Sequence, residues 1–237
     1  MAASRKPRPT FAAELELWSA GHRAIAGADE VGVGAAAGPL VAAAILLPIP
    51  DDGVDIAAAF QALADEWWEV RDSKDIADSK KLRLDSLIRR SVTVGIGIGV
   101  VEVAERATFT DQNKATLLAT ERALDALPRP PDAVLLDGGV DIPRRNFLYR
   151  RIPKENDATT SLSISAASIV ANMHFNQIMR TYGTEYPYYG FEQHKGYLTP
   201  QHKEALLRHG TCPIHHLNNK DVRRILAART ANDGNPT

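Results

Sequence analysis

Two adjacent carboxylates, Asp29 and Glu30, lie at the end of an apolar segment that continues into the glycines Gly32 and Gly34. The small and apolar residues before the pair predict a buried strand. Buried carboxylates rarely lack a partner, and a divalent cation with oxygen ligands removes the repulsion between two of them. Glycines directly after a strand let the backbone approach a large ligand. The segment therefore predicts a metal site beside a ligand-binding loop.

Two other interpretations fit the same segment. Gly32, Gly34 and Ala37 have the spacing of a dinucleotide-binding turn, but a pyrophosphate there would be repelled by the two carboxylates. That class also needs an acidic residue about 20 positions later, where Asp51 and Asp52 lie in an expected turn. The second alternative is a buried ion pair next to an ordinary glycine turn. A metal site is the first hypothesis.

The composition limits the class of protein. The chain has 237 residues, 44% hydrophobic and 24% charged, which suffices for one substantial core. Its longest apolar runs have only strand length and its N-terminus lacks a secretory pattern, so we expect no membrane span and no export. The single cysteine, Cys212, cannot form an internal disulfide, which fits the cytoplasmic location that we expect.

Positive charge is concentrated near the C-terminus. The formal net charge is −1, but from Arg180 to Arg229 there are eight Lys and Arg against four Asp and Glu. Five of the seven histidines lie there as well. This basic end fits either a nucleic-acid-binding surface or an ordinary solvated surface.

The pattern of apolar residues divides the chain into four parts: an N-terminal extension (1–23), a main α/β domain (24–185), a helical extension (186–230) and a disordered tail (231–237). We expect strands over 24–30, 40–47, 92–103, 133–136 and 147–152, the first three as a meander. We expect helices over 11–18, 111–127, 161–182, 200–209 and 220–229.

Two further carboxylates lie at positions typical of active sites. Asp137 ends a short, fully apolar strand, and the carboxyl end of a buried strand is a common place for a catalytic acid. Asp157 lies just before the long helix, where an Asp also commonly serves as a helix cap.

Six motifs occur in one order along the chain: Asp29-Glu30, Asp72-Ser73-Lys74, Asp137-Gly138, Asp157-Ala158, Ala166-Ala167-Ser168-Ile169 and His194-Lys195-Gly196-Tyr197. Together they strongly resemble ribonuclease HII over roughly residues 25–225. The resemblance implies an α/β protein with a ribonuclease H-like fold. That fold has a mixed five-stranded sheet of three antiparallel and two parallel strands, flanked by helices and followed by a C-terminal helical extension.

The resemblance also implies the catalytic and metal-binding residues, which are Asp29, Glu30, Asp137 and Asp157. Four carboxylates suit two divalent cations, Mn²⁺ or Mg²⁺, in phosphodiester hydrolysis. Neighbouring strand residues face opposite sides, so Asp29 and Glu30 can share one site only if the chain bends, which Gly27 and Gly32 would permit.

The activity that the resemblance implies is that of an endoribonuclease. It would hydrolyse the RNA strand of RNA–DNA hybrids, or cut at ribonucleotides embedded in duplex DNA, and leave 5′-phosphate and 3′-hydroxyl ends. The main domain would be the catalytic one, and the helical extension would bind substrate. We expect a monomer that has no membrane partner.

The resemblance implies eight substrate-binding residues: Gly32, Val33, Gly34, Ser73, Lys74, Tyr189, His194 and Lys195. Backbone groups of the glycine loop would contact a 2′-hydroxyl, and Lys74 would contact a phosphate. A second copy of the lysine motif begins at Asp78; we favour the first copy because its apolar spacing fits the family. Tyr189 would pack against a nucleotide at an RNA–DNA junction, with core packing as the alternative.

The chain departs from the family pattern at several positions. Val33 replaces an arginine between two glycines, which removes a cationic phosphate contact. The other departures are Asn172, Phe175, Asn176 and His216. We interpret these changes as a loss of some substrate contacts in a diverged member of the family. The alternative is a catalytically weakened nucleic-acid-binding paralogue of the same fold.

Overall fold

The computed structural model describes residues 8–48, 54–91, 94–137, 141–142, 147–152 and 161–233. The strands are β1 (Ile25–Val31), β2 (Leu40–Leu46), β3 (Gly95–Val101), β4 (Ala133–Asp137) and β5 (Leu148–Ile152). The helices are α1 (Ala12–Ser19), α2 (Ile56–Glu66), α3 (Asp78–Arg90), α4 (Val103–Arg106), α5 (Gln112–Asp125), α6 (Leu162–Glu185), α7 (Phe191–His194), α8 (Pro200–His209) and α9 (Lys220–Asp233). A 3₁₀ turn covers Ser73–Asp75.

The five strands form one mixed sheet in the order β3-β2-β1-β4-β5. β1, β2 and β3 pair antiparallel as the expected meander, while β4 and β5 run parallel to β1. The predicted mixed sheet, with three antiparallel and two parallel strands, is therefore confirmed. The sequence interpretation did not include α2, α3, α4 or α7.

The long helix α6 packs closely on β1, and Gly27 makes this approach possible. A Cβ atom at Gly27 would lie 2.2 Å from Ser163 Oγ and 2.6 Å from Ile164 N, so only glycine fits beneath the helix. The register between β1 and β2 runs without interruption from Ala26 to Val31. The strand therefore has no bulge at Asp29 and Glu30, so the bend expected there stays a prediction, and Gly27 provides space for α6.

Helix α5 covers the opposite face of the sheet. A Cβ atom at Gly97 would lie 1.9 Å from the carbonyl oxygen of Ala123, and one at Gly99 would lie 2.0 Å from that of Ala119. The glycines of β3 and the alanines of α5 thus bring helix and sheet into direct backbone contact. Their burial gives the second face of the sheet its own apolar core.

The C-terminal extension is packed into the main core. Phe191, Leu206, Ile214 and Val222 are buried in the same apolar core as α6. The described helices include none with the length and apolarity that a bilayer crossing requires.

Candidate metal centre and substrate loop

Two carboxylates lie side by side at the carboxyl ends of β1 and β4. The parallel register pairs Ala28 with Leu136, so the next residues, Asp29 and Asp137, are neighbours on one face of the sheet. That face is the one covered by α6. Glu30 follows Asp29 on the same strand, so its Cβ atom lies on the opposite face of the sheet.

The Asp29 carboxyl is only 6% exposed. Burial raises the pKa of Asp29 to about 8, and the neighbouring carboxylates Glu30 and Asp137 contribute to the rise. A hydrogen bond from Ser168 and the positive charge of Lys74 oppose it. We call Asp29, Glu30 and Asp137 the acid cluster; its mutual repulsion is the signature of a site that requires positive charge.

The acid cluster fits a divalent cation by its chemistry. Its donors are hard carboxylate oxygens, which suit such a cation, and Glu30 and Asp137 add to the burial that raises the pKa of Asp29. Within the described part of the chain, no three Asp, Glu, His or Cys side chains converge closely enough to hold a metal ion. The fourth predicted ligand, Asp157, lies outside the described residues, so its position stays a prediction.

The Asp72-Ser73-Lys74 motif lies beside the acid cluster. The Ser73 and Ser168 hydroxyl groups are 2.9 Å apart, and the Ser73 N–H donates to Ser168 Oγ at 3.3 Å. Asp72 Oδ1 accepts from the Lys74 N–H and fixes the start of the 3₁₀ turn. Burial lowers the pKa of Lys74, but Asp72 and the acid cluster outweigh burial, so the net shift is upward. The Lys74 ammonium therefore feels the field of all three carboxylates.

The second copy of the motif has a different role. Lys81 donates to Asp78 Oδ1 at 2.9 Å, and Lys80 forms an ion pair with Glu69 at 2.6 Å. Both lysines belong to α3, and neither contributes to the pKa of Asp29. The structure thus favours the first copy, as the apolar spacing indicates.

The glycine loop leaves β1 at Gly32, whose φ of +96° favours glycine. A Cβ atom there would lie 2.6 Å from the carbonyl oxygen of Pro39. Gly34 and the Val33 side chain are exposed. Arg106 holds this loop from the protein side by donating to the carbonyl oxygens of Gly32, at 2.8 Å, and Val33, at 2.6 Å. Sequence reasoning missed Arg106, because nothing in a short helix marks one arginine as a loop contact.

The far end of the loop is held by the C-terminal extension. Ala36 N–H donates to the Gly196 carbonyl at 2.9 Å, and Gly38 N–H donates to that of Ile214 at 3.0 Å. The His216 N–H in turn donates to the Ala36 carbonyl at 2.8 Å. The loop is therefore fixed at both ends, and the extension shapes it directly.

The side chains of three predicted substrate residues, Ser73, Tyr189 and His194, are buried. Tyr189 is only 6% exposed, stacks on Phe191 and donates its hydroxyl to the carbonyl of Gly210 at 3.2 Å. The prediction that Tyr189 packs against a nucleotide is therefore wrong, and its alternative, core packing, is correct. The reason is that α7 turns this ring inward, which the motif itself does not encode.

His194 also points away from solvent. Its Nε2 donates to the Tyr189 carbonyl at 2.6 Å, and its Nδ1 accepts from the Gly196 N–H at 3.2 Å. Burial lowers the pKa of His194, which favours the neutral ring that these bonds require. The expectation that His194 lines a substrate groove is wrong; it holds the turn that precedes Tyr197.

Tyr197 is the aromatic residue at the loop. Its ring is 42% exposed, and its Cε1 would lie 3.9 Å from a Cβ atom at Gly34. Burial raises the pKa of Tyr197, while the charges of Lys74 and Arg106 oppose the rise. Tyr197 belongs to the His194-Lys195-Gly196-Tyr197 motif, whose spacing alone does not indicate which tyrosine of the extension lies at the loop. The Lys195 ammonium donates to the carbonyl of Glu192, so its substrate contact stays a prediction.

Of the family departures within α6, Phe175 and Asn176 are buried and Asn172 is partly exposed. Phe175 is in the core, 3.1 Å from the Cβ position of Gly32, and the buried Asn176 donates to Asn172 Oδ1 at 3.1 Å. Burial lowers the pKa of His216 to about 4, aided by the charge of Arg106. Phe175 therefore supports the loop from below, while the effect of these departures on substrate contacts stays a prediction.

Comparison with known proteins identifies the family. The family model of Ribonuclease HII matches residues 26–225. The Ribonuclease HII of Geotalea daltonii is 38% identical over 204 residues, covering 86% of this chain and 85% of the relative. That of Syntrophotalea carbinolica is 38% identical over 213 residues, covering 90% and 93%. These matches favour an enzyme over a binding paralogue.

Solved structures share the fold. The ribonuclease H2 from Pyrococcus horikoshii OT3 matches with a TM-score of 0.67 at 21% identity, covering 87% of this chain and 98% of that one. The Mn²⁺ complex of Bst-RNase HIII matches with a TM-score of 0.63 at 22% identity, covering 98% and 77%. The ribonuclease H-like fold expected from the motifs is confirmed.

Proposed function

The chain belongs to the ribonuclease HII family, and we propose that its acid cluster holds the divalent cations with which this endoribonuclease cuts RNA joined or paired to DNA. The protein is a hydrolase with ribonuclease H activity, and its family depends on divalent metal. The observation that carries the proposal is the buried Asp29, whose pKa rises to about 8 partly because Glu30 and Asp137 lie beside it.

The acid cluster supplies ligands for cations and is incomplete without them. Two divalent cations, Mn²⁺ or Mg²⁺, would supply Lewis acidity to the attacking and leaving oxygens of a phosphodiester. Asp29 and Asp137 would bind from adjacent strand ends, and Glu30 from the next position on β1. We propose Asp157 as the fourth ligand on the strength of its motif. The Mn²⁺ complex of Bst-RNase HIII supports manganese as one usable ion.

The remaining residues would orient the nucleic acid. Lys74 lies in the field of the acid cluster with its side chain largely exposed, which suits contact with a phosphate next to the cut. The exposed loop residues Val33 and Gly34 can present backbone N–H groups to a 2′-hydroxyl. The half-exposed ring of Tyr197 is placed for stacking on the sugar or base of the same nucleotide.

We propose that both continuous hybrids and single embedded ribonucleotides are substrates, with 5′-phosphate and 3′-hydroxyl products. The proposed parts are the N-terminal extension (1–23), the catalytic domain (24–185) and the substrate-binding extension (186–230). We also propose that the protein acts as a monomer. Light scattering of the purified protein measures its oligomeric state directly.

The test is cleavage of end-labelled duplexes that carry one ribonucleotide, four ribonucleotides or none, in Mn²⁺ and in Mg²⁺. We expect cuts only at ribonucleotides, and products that a DNA ligase can rejoin. Asp29→Asn should be inactive, while the matched control Asp78→Asn, on the second motif copy, should cut like the parent. Binding of the parent to these duplexes without any cleavage would refute the proposal and support a binding role.

A further inference from the structure

Arg106 is a buried cation at the end of α4. Its side chain is 3% exposed and makes three hydrogen bonds. Nε donates to Gln112 Oε1 at 2.7 Å, and the two terminal nitrogens donate to the carbonyl oxygens of Gly32 and Val33. Burial lowers the pKa of Arg106 to about 10, so the guanidinium still carries its charge at neutral pH. The hydrogen-bond acceptors of this guanidinium are thus one side-chain amide oxygen and two loop carbonyl oxygens.

These two bonds, together with the Ala35 N–H that also donates to the Gly32 carbonyl at 3.2 Å, fix where the loop N–H groups point. In a trans peptide the C=O and the following N–H are antiparallel, and the described residues contain no cis peptide. The Gly32 and Val33 carbonyls face Arg106, so the N–H groups of Val33 and Gly34 face the opposite way. Nothing in the described part of the chain accepts a hydrogen bond from either group. Both therefore point away from Arg106, toward the exposed side of the loop.

The outward side of the loop is the substrate side. Gly34 and the Val33 side chain are exposed there, and the Tyr197 ring lies next to Gly34. Arg106 and Lys74 both act on the phenol of Tyr197, so the two cations flank the same short stretch of surface. A ribonucleotide in contact with Tyr197 would meet the two N–H groups directly.

We propose that Arg106 is a positioning residue for ribonucleotide recognition, which aims the N–H groups of Val33 and Gly34 at the 2′-hydroxyl and places positive charge beneath the loop. This inference rests on the proposed function. Arginine suits the task because its planar fork donates to two carbonyls at once, whereas a lysine ammonium is a single point of charge. Position 33 carries no guanidinium, and Arg106 of α4 places one on the protein side of the loop.

The experiment measures KM and kcat on a duplex with one ribonucleotide, and Ki for an all-DNA duplex of the same sequence. In Arg106→Met we expect KM to rise about tenfold, the effect of losing one or two good hydrogen bonds, with kcat and Ki changed less than about twofold. Arg106→Lys should fall between the two proteins. A purely structural or purely electrostatic role would move KM and Ki together.

The matched control is Arg122→Met. Arg122 also donates to a backbone carbonyl, that of Val100 at 2.7 Å, and pairs with Glu105, but it does not contact the loop. Its loss should alter Tm without changing the ratio of KM to Ki. If Arg106→Met does not fold, Gln112→Ala is the deciding variant. It removes the hydrogen-bond acceptor of Arg106 Nε and keeps the guanidinium charge. We expect its KM to rise about threefold with Ki unchanged.

Two results would overturn the inference: an unchanged KM in these variants, or KM and Ki that rise equally. A parent protein that cuts no ribonucleotide-containing duplex would instead refute the proposed function. A parent that cuts normally while its Arg106 and Gln112 variants match it would refute this inference alone.

Discussion

Glu14 and Asp29 are both buried carboxyl groups whose pKa is raised chiefly by burial, but their surroundings differ. Glu14 projects from α1 toward the start of α6. Its Oε1 accepts from Ser161 Oγ at 2.5 Å, from Ser163 Oγ at 2.7 Å and from the Ser163 N–H at 3.1 Å. Hydrogen bonds from these serines oppose the effect of burial at Oε1, whereas the buried Oε2 has no hydrogen-bond partner among the described residues, and the net pKa shift is upward.

Asp29 is faced by other carboxylates instead of by a set of donors. Glu30 and Asp137 add to the effect of burial on its pKa, and only Ser168 and Lys74 oppose it. Burial alone therefore does not identify a functional carboxyl. A carboxyl surrounded by hydroxyl and amide donors joins two elements, whereas one surrounded by like charge requires a cation from outside.

Substitutions at the two carboxyls should differ most in their effect on the cleavage rate. Asp29→Asn should lower kcat by at least about a thousandfold, because the amide keeps the shape and loses the charge that binds cations. The Tm of the metal-free protein should stay level or rise, since a neutral amide avoids the cost of ionising this buried carboxyl. Glu14→Gln serves as the control and should cut normally. Cleavage by Asp29→Asn within about tenfold of the parent rate would contradict the assignment.

Metal affinity should depend on pH through Asp29. A proton on Asp29 must leave before a cation binds, so apparent Mn²⁺ affinity should rise about tenfold per pH unit up to about pH 8 and then level off. By the same linkage, the stability that protonated Asp29 contributes to the metal-free protein is full below about pH 4 and is lost as the pH rises through about 8. Calorimetric titration at pH 6, 7 and 8 measures the slope. A flat profile would show that Asp29 is ionised throughout.

Glu14 should matter for stability. Glu14→Ala leaves the hydroxyls of Ser161 and Ser163 without their acceptor and opens a cavity, so we expect a loss of about 2–3 kcal/mol in the free energy of unfolding. Urea denaturation checks this value. Glu14→Gln, which keeps an acceptor oxygen, should lose less. If Glu14→Ala instead reduced cleavage without lowering the free energy of unfolding, the assignment of a structural role to Glu14 and a catalytic role to Asp29 would be contradicted.

The smallest expected effect concerns Val33. An arginine at this exposed position could contact a phosphate, but the buried charge of Arg106 lies close to the Val33 backbone and repels it. Val33→Arg should therefore improve KM on a single-ribonucleotide duplex by only about threefold, and less on a continuous hybrid. Kinetics at two salt concentrations test this. Equal gains on both substrates would indicate a general charge effect without any contribution to junction recognition.

Local patterns predicted the strands and the strand-end positions of Asp29 and Asp137, because apolar runs and their termini are properties of short segments. They could not predict contacts between distant segments. Glu14 meets Ser163 across 149 positions, and Arg106 meets Val33 across 73. Nor could they tell which tyrosine of the extension faces outward, since that depends on how α7 packs.

The most direct test of the central claim, that Asp29 belongs to a metal site and Glu14 does not, is Mn²⁺ binding by electron paramagnetic resonance at pH 8. The parent and Glu14→Gln should bind Mn²⁺ alike, and Asp29→Asn should bind it at least about tenfold more weakly. Equal binding by Asp29→Asn and the parent would contradict the account, as would a loss of binding confined to Glu14→Gln.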